Sequence, residues 1–211
     1  MGLSKRKIAA FDLDGVVADY IPAFLPHANE CFGRNLSCRD LRFFDIASCF
    51  GVSPEEMMQL MVELGLSFVA GLPPVSGALL VTRALKKAGC GPALITARPD
   101  TLVEVTERWV EENLGPGVPV FFSRSVDNPY GGGDGRLTKL ELARQIGAVC
   151  FIEDNPHEFV DWPHDEIMAI CFAQPWNRNV REIDTRIHRL EWPGIHDLLL
   201  SWLQDPERQH P

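Results

Sequence analysis

Residues 7–17 read KIAAFDLDGVV and join a short apolar run directly to two carboxylates. The apolar run predicts a buried strand from Lys7 to Leu13. Asp12 and Asp14 are two positions apart, so an extended backbone points both side chains to the same side, and Gly15 permits a sharp exit. Carboxylates this close repel each other unless a cation lies between them, and Mg²⁺ is a natural partner. An exposed acidic turn is the alternative that this stretch alone leaves open.

After residue 75, short apolar runs alternate with longer amphipathic segments. Strands are predicted over four further ranges: 91–96, 118–122, 149–153 and 167–172. Helices are predicted over 77–88 with Ser76 as the N-cap, 100–114, 137–146 and 195–203, with a helical turn over 157–162. This alternation predicts an α/β fold, a Rossmann-like three-layer architecture with helices on both faces of a parallel sheet. In such sheets, ligands bind at the carboxyl ends of the strands.

Residues 19–75 interrupt this alternation and contain no convincing strand. Helices are predicted over 22–32 and 54–64, the second with Ser53 as its N-cap. Because the segment is too long for an ordinary loop, 19–75 is predicted to form a small helical cap over the site. Residues 1–18 and 76–211 then form the α/β core. The stretch 68–74, with its paired prolines, is predicted to be the linker that returns from the cap.

The composition narrows the functional classes. The chain has 211 residues, is 45% hydrophobic and has a formal net charge of −9, which predicts one domain with a modest insertion and argues against nucleic-acid polymers as partners. No run approaches the roughly 18 apolar residues needed to cross a membrane, so we expect a cytoplasmic protein without a membrane partner. The six cysteines form no CxxC pair, and free thiols, buried at Cys90, Cys150 and Cys171, are favoured over disulfides.

Further candidate residues fall at or near predicted strand ends. Thr96 closes the strand 91–96 and could donate to a phosphate oxygen or cap the next helix. Lys139 lies near the start of the predicted helix 137–146, where a lysine is normally solvated. Glu153 and Asp154 lie where the strand 149–153 ends, either as metal ligands or as a helix cap. The glycine-rich stretch 131–135 lacks phosphate-loop spacing and predicts a surface loop. Each of these residues could have a purely structural role, but their common placement at one edge of the sheet predicts a ligand-binding site there.

The order of these motifs resembles the haloacid dehalogenase superfamily of phosphatases. The resemblance spans roughly residues 7–172 and rests on four motifs: DLDG at 12–15, Thr96, Lys139 and Glu153-Asp154. Within that superfamily the chain is similar to the 5'(3')-deoxyribonucleotidase family, on the phrases LPPVSGA (72–78), ITARP (95–99) and PWN (175–177). The helical insertion resembles the small helical caps of that superfamily.

The resemblance implies a mechanism. Asp12 would be the nucleophile that forms an aspartyl-phosphate, and Asp14 would act as general acid and then as general base. Mg²⁺ would be held by Asp12, by the backbone carbonyl of Asp14 and by Asp154, with Glu153 acting directly or through water. The phosphoryl oxygens would be bound by Thr96, Ala97 and Lys139.

The expected substrate is a small phosphorylated molecule, in particular a nucleoside or deoxynucleoside monophosphate. Arg98 is a further candidate for contact with its phosphate or ribose, or else pairs with a surface acid. Phe24, Phe43 and Phe44 could stack on a base or fill the core of the cap. The alternatives are a phosphatase for a sugar phosphate or phosphoglycolate, a non-catalytic phosphate-binding module, and a receiver-type domain, which the DxDG order and the cap oppose. A homodimer is left open.

Overall fold

A parallel sheet forms the centre of the computed structural model, which describes residues 7–124 and 136–205. The strands have the order β3-β2-β1-β4-β5-β6, and every pairing is parallel. They are β1 (Lys7–Phe11), β2 (Cys90–Thr96), β3 (Val120–Phe122), β4 (Ala148–Glu153), β5 (Met168–Phe172) and β6 (His188–Leu190). The predicted α/β fold is therefore confirmed. Strand β6 is too short and too polar to be recognised from its sequence pattern.

Strand β1 is buried on both faces of the sheet. Ala9, Ala10 and Phe11 have no exposed surface. Alternate residues face opposite sides: Ala9 and Phe11 belong to a cluster that includes Trp192, whereas Ala10 belongs to a second cluster that includes Phe151. A strand covered on both faces reads as a continuous apolar run, which explains the pattern before Asp12.

Helices cover both faces of the sheet, and the start of one of them sets the position of Lys139. They are α1 (Tyr20–Phe32), α2 (Ile46–Phe50), α3 (Pro54–Ala70), α4 (Ala78–Lys87), α5 (Val103–Leu114), α6 (Lys139–Ile146), α7 (Val180–Ile183) and α8 (Trp192–Gln204). Helix α6 begins two residues later than predicted because Thr138 is its N-cap. The Thr138 hydroxyl accepts from the Glu141 N–H at 3.1 Å, and Glu141 accepts from the Thr138 N–H at 2.7 Å.

Helix α4 shows a second difference from the sequence prediction. Its N-cap is Gly77 rather than Ser76, with a φ of 93° that favours glycine. A Cβ atom at Gly77 would lie 2.9 Å from Cβ of Trp192, so the close approach of α8 also requires glycine there. Ser76 is a residue type that often caps helices, but here the helix starts one residue later, with Gly77 as the N-cap where α8 packs closely.

Residues between β1 and α4 contain helices α1 to α3 and form a buried cluster together with Trp176, which follows β5. We call it the insertion cluster: Ile21, Phe24, Leu25, Ala28, Leu41, Ala47, Phe50, Met57, Leu60 and Trp176. Helix α3 continues to Ala70 through a kink at Gly65, so the prediction of a linker over 68–74 was wrong for residues 68–70. The chain returns to the core only after Gly71. The role of 19–75 as a cap stays a prediction.

Parts of the predictions lie outside the described residues. These are residues 1–6, 125–135 and 206–211 of the predicted core, and the second range includes the glycine-rich stretch 131–135. Over the described ranges, no helix combines the length and the apolar character needed to span a lipid bilayer. All six cysteines are free, and Cys90, Cys150 and Cys171 are buried.

Candidate active site

Three neighbouring strands deliver the candidate residues to one edge of the sheet. Asp12 follows the last residue of β1, Thr96 is the last residue of β2, and Glu153 is the last residue of β4. The Asp12 N–H donates to the Ile152 carbonyl at 2.8 Å, which holds Asp12 against β4 beyond the end of β1. Because parallel strands end at a common edge, residues far apart in the chain meet here.

Lys139 lies between two of these carboxylates. Its Nζ donates to Oδ1 of Asp12 at 2.7 Å and to Oε2 of Glu153 at 2.6 Å, and all three side chains are buried. The N-cap at Thr138 makes Lys139 the first residue of α6. A lysine at a helix start is usually solvated; this one is buried because α6 begins against the edge of the sheet that carries the acids.

Glu153 has a partner for each of its oxygens. Oε2 accepts from Lys139, and Oε1 accepts from the N–H groups of Asp154 at 3.0 Å and Asn155 at 2.9 Å. The carboxylate therefore fixes both the lysine and the backbone turn that presents Asp154.

The site carries more negative than positive charge. Oxygens of Asp12, Glu153 and Asp154 lie within 4.8 Å of one another, and all three residues are buried. Burial first, and then the charge of Glu153, raises the pKa of Asp12 and of Asp154 well above the usual value. The pKa of Lys139 is also raised, since Asp12, Glu153 and Glu158 together outweigh its burial. The positive charge of Lys139 does not neutralise the three carboxylates of Asp12, Glu153 and Asp154.

A divalent cation fits this donor set. Clustered carboxylate oxygens with surplus negative charge are the ligands that Mg²⁺ prefers. Gly15 gives Asp154 the room to reach the Asp12–Gly15 turn, because a Cβ atom at Gly15 would lie 2.3 Å from Oδ2 of Asp154. Gly15 also has a φ of 83°, which side chains rarely adopt. The backbone carbonyl of Asp14 stays a predicted ligand.

Asp14 has a different partner from Asp12. The guanidinium of Arg98 donates from Nε to Oδ2 of Asp14 at 2.8 Å and from Nη2 to Oδ1 at 2.6 Å. Arg98 is buried, and its Nη1 donates to Oγ1 of Thr106 at 3.0 Å. Sequence reasoning left Arg98 between a substrate contact and a surface pair. The structure instead places it in a buried pair with a residue of the first motif.

Thr96 and Ala97 lie beside this pair. Thr96 is buried, and its Oγ1 accepts from the Arg98 N–H at 3.3 Å, which leaves its hydroxyl hydrogen free to donate. Thr96 is not the N-cap of α5, since a short 3₁₀ helix over Asp100–Leu102 precedes that helix. Ala97 is half-buried at the same strand end. Their roles in phosphate binding stay predictions.

Side chains of the loop after β5 hydrogen-bond to backbone carbonyls of the site, a role that the sequence analysis did not predict. Gln174 Nε2 donates to the Gly15 carbonyl at 2.8 Å. Trp176 Nε1 and Asn177 Nδ2 both donate to the Asp154 carbonyl, at 3.2 and 2.9 Å. The signal was available in outline, because the loop leaves the same sheet edge as the other motifs. Which backbone atoms these side chains reach depends on tertiary structure.

The aromatic candidates of the insertion have different environments. Phe24 is wholly buried in the insertion cluster, Phe44 is half-buried against it, and Phe43 is 61% exposed. Tyr20 was missed by the sequence analysis: its ring stacks on Phe24 at 5.6 Å and meets the edge of Phe68 at 5.4 Å. Burial first, and then the charge of Asp14, raises the pKa of the Tyr20 phenol, so Tyr20 lies within electrostatic reach of the site.

Known proteins with similar sequences cover nearly the whole chain. No protein-family model matches it. A curated protein from Halalkalibacterium halodurans, provisionally named a nucleotidase, is 29% identical over 207 residues, covering 97% of this chain and 93% of its own length. A protein from Chlorobaculum tepidum, provisionally named a 5'(3')-deoxyribonucleotidase, is 22% identical, covering 95% of this chain and 94% of its own length.

Solved structures show the same fold at low identity. A haloacid dehalogenase family hydrolase from Deinococcus radiodurans, with bound phosphate and sodium, matches with a TM-score of 0.65 at 15% identity and covers 95% of this chain and 98% of that one. A protein from Lactobacillus delbrueckii, provisionally named a phosphoglycolate phosphatase, matches with a TM-score of 0.59 at 16% identity, covering 93% and 99%. With the curated relatives, these matches confirm the resemblance predicted from the motifs: the chain has the fold of these solved hydrolases and is similar in sequence to proteins named as nucleotidases.

Proposed function

We propose that this chain is a magnesium-dependent phosphomonoesterase that works through an aspartyl-phosphate. One observation supports the proposal above all: buried Asp12, at the end of β1, is 2.7 Å from Lys139 and shares a carboxylate cluster with Asp154. Phosphate esters resist attack because nucleophile and phosphate are both anionic, so a site must neutralise charge and align the nucleophile. A nucleophilic carboxylate beside a buried ammonium and a cation site has both properties.

In the first step, an oxygen of Asp12 would attack phosphorus while the bond from phosphorus to the leaving oxygen breaks. Asp14 would supply the proton to the leaving alkoxide. Lys139, the Thr96 hydroxyl and the Ala97 N–H would bind the phosphoryl oxygens, and Lys139 would also keep Asp12 ionised. Asp12, Asp154 and the Asp14 carbonyl would hold Mg²⁺, whose charge offsets that of the phosphoryl group. In the second step, water would attack phosphorus, Asp14 would take its proton, and Asp12 would be released.

The substrate that we propose is a nucleoside or deoxynucleoside 5'-monophosphate, with residues 19–75 closing over the leaving group as a cap. The curated relatives named as nucleotidases cover this chain almost completely, which supports this class. Phosphate release should be measured against nucleoside monophosphates, sugar phosphates and phosphoglycolate. A preference for nucleotides is expected. If no nucleotide outcompetes the sugar phosphates or phosphoglycolate, the nucleotidase proposal fails, and release from none of them at saturating Mg²⁺ would favour a non-catalytic phosphate-binding module.

Asp154→Asn is expected to raise the Mg²⁺ concentration needed for half-maximal activity by about a hundredfold, because it removes an anionic ligand. A readout independent of turnover is the stabilisation of the fold by Mg²⁺, followed as a rise in Tm. At a hundred times the wild-type Kd this stabilisation should be about 2.7 kcal/mol in the wild type and fall to about 0.4 kcal/mol in the variant, because its Kd is about a hundredfold higher. Asp197→Asn, on the exposed surface, is the matched control. Equal Mg²⁺ midpoints in both variants, or full activity after exhaustive chelation, would rule out this metal site.

Phe43→Ala is expected to lower kcat/KM for a nucleoside monophosphate about tenfold while sparing p-nitrophenyl phosphate, since base stacking is worth on the order of 1–3 kcal/mol. Phe24→Ala should instead destabilise the protein by about 3–5 kcal/mol and affect both substrates, because it leaves a cavity in the insertion cluster. Phe44→Ala, half-buried, separates stacking from packing. Equal losses on both substrates in all three variants would argue against a stacking role.

A further inference from the structure

Each nitrogen of the Arg98 guanidinium already has a hydrogen-bond acceptor within the protein. Its Nε and Nη2 donate to Asp14 at 2.8 and 2.6 Å, and its Nη1 donates to Thr106 at 3.0 Å. The side chain is 4% exposed, whereas that of Asp14 is 29% exposed. Burial alone would lower the pKa of Arg98, but Asp14 more than offsets this and the pKa is raised. The guanidinium is thus committed to one carboxylate that itself still reaches solvent.

The backbone of Arg98 is held on both sides of its Cα atom. Its N–H donates to Oγ1 of Thr96 at 3.3 Å, and its carbonyl accepts from Nη1 of Arg136 at 2.9 Å. Arg136 in turn pairs with Asp100. The guanidinium fork is therefore aimed by a chain of contacts that starts at the end of β2. Such a supported, planar fork fixes the orientation of a carboxylate, which the single ammonium point of a lysine does not.

We infer that Arg98 is a positioning residue that orients the Asp14 carboxylate for the hydrolysis of the aspartyl-phosphate. This inference rests on the proposed function. In that step the oxygen of water bonds to phosphorus, the bond from phosphorus to the Asp12 oxygen breaks, and a water proton passes to Asp14, which yields inorganic phosphate and free Asp12. A carboxylate whose two oxygens are both held by one guanidinium keeps a fixed orientation, which general base catalysis requires.

The test separates the two steps of turnover with p-nitrophenyl phosphate, whose leaving group needs little assistance from an acid. In Arg98→Lys and Arg98→Met, formation of the aspartyl-phosphate should be nearly unchanged, while its hydrolysis should slow by about tenfold to a hundredfold, a part of the factor that general base catalysis supplies. Rapid mixing should then show a burst of p-nitrophenol close to one equivalent of enzyme, and acid quenching should trap the phosphorylated protein. Arg98→Lys keeps the positive charge beside Asp14, so it is expected to fold even if Arg98→Met does not.

The controls distinguish the inference from the proposed function. Asp14→Asn should show the same burst, and Arg98→Lys combined with Asp14→Asn should be no slower than Asp14→Asn alone, because both changes remove one function. Arg144→Met, at an exposed ion pair, should behave as the wild type. A burst in Asp14→Asn without one in either Arg98 variant, or losses that multiply in the double variant, would overturn the inference. If no variant yields phosphorylated protein and Asp14→Asn turns over normally, the proposed mechanism itself fails.

Discussion

Asp12→Asn is expected to abolish phosphate release, by about four orders of magnitude or more, while the fold is retained. An amide is a poor nucleophile, and the reaction has no other route to the covalent intermediate. The substitution keeps the size of the side chain at a buried position. It also removes one of the clustered carboxylates, so the free energy of unfolding should be unchanged or higher. Activity and thermal unfolding should be measured on the same preparation.

The outcome of this substitution discriminates between mechanisms. Asp165→Asn makes the same chemical change at an exposed position and should leave the rate of phosphate release unaltered. Acid-quenched wild-type enzyme should contain phosphorylated protein that is missing from Asp12→Asn. Release of phosphate by Asp12→Asn at a substantial fraction of the normal rate would show that water attacks phosphorus directly, and the covalent mechanism would be wrong.

Lys139→Met is expected to reduce both activity and stability. The buried ammonium is the partner of Asp12 at 2.7 Å and of Glu153 at 2.6 Å, so its loss leaves buried carboxylates without a counter-charge. Breaking a buried ion pair in this way costs about 3–5 kcal/mol of the free energy of unfolding. Phosphate release should fall at least about a thousandfold, because the group that binds the phosphoryl oxygens is lost as well. Lys87→Met, at the exposed end of α4, is the matched control.

The loss of stability in Lys139→Met should depend on pH in a definite direction. Burial and Glu153 already raise the pKa of Asp12, and removing Lys139 takes away a charge that lowers it. A carboxyl group whose pKa is higher in the folded state binds protons more tightly there, so its contribution to stability is lost as pH rises through the folded pKa. The deficit of Lys139→Met should therefore be largest near neutral pH and shrink on acidification. A deficit that is independent of pH would mean that lost packing, rather than charge, is responsible.

The alternation of apolar runs and amphipathic segments was sufficient to predict the fold. It gave the strands β1, β2, β3, β4 and β5 within a few residues. Strands β1, β2, β4 and β5 are mostly buried and therefore largely apolar, and the half-buried edge strand β3 is apolar as well. The failures have physical reasons. Strand β6 (His188–Leu190) is short and polar. Helix α3 passes its kink at Gly65, a residue that reads as a helix end when only the local pattern is considered.

The sequence by itself determined which residues meet. Parallel strands present their carboxyl ends at one edge of the sheet, so Asp12, Thr96 and Glu153 had to gather there once the strands were identified. The sequence also supplied the residue types that suit a phosphate and a hard cation. Local periodicity and the geometry of parallel sheets are sufficient to bring these residues to one edge.

Only the tertiary structure decided which side chains pair. Arg98 and Asp14 are 84 positions apart, and Lys139 and Asp12 are 127 apart. Nothing in the local pattern separates a lysine at a solvated helix start from one buried between two acids, or an arginine that reaches a substrate from one that holds Asp14. Which side chains pair depends on the distance and direction between side chains on different elements. That distance and direction are fixed only when the helices pack on the sheet. Burial then makes the loss of one partner costly, because the remaining charge is left out of water without a counter-charge.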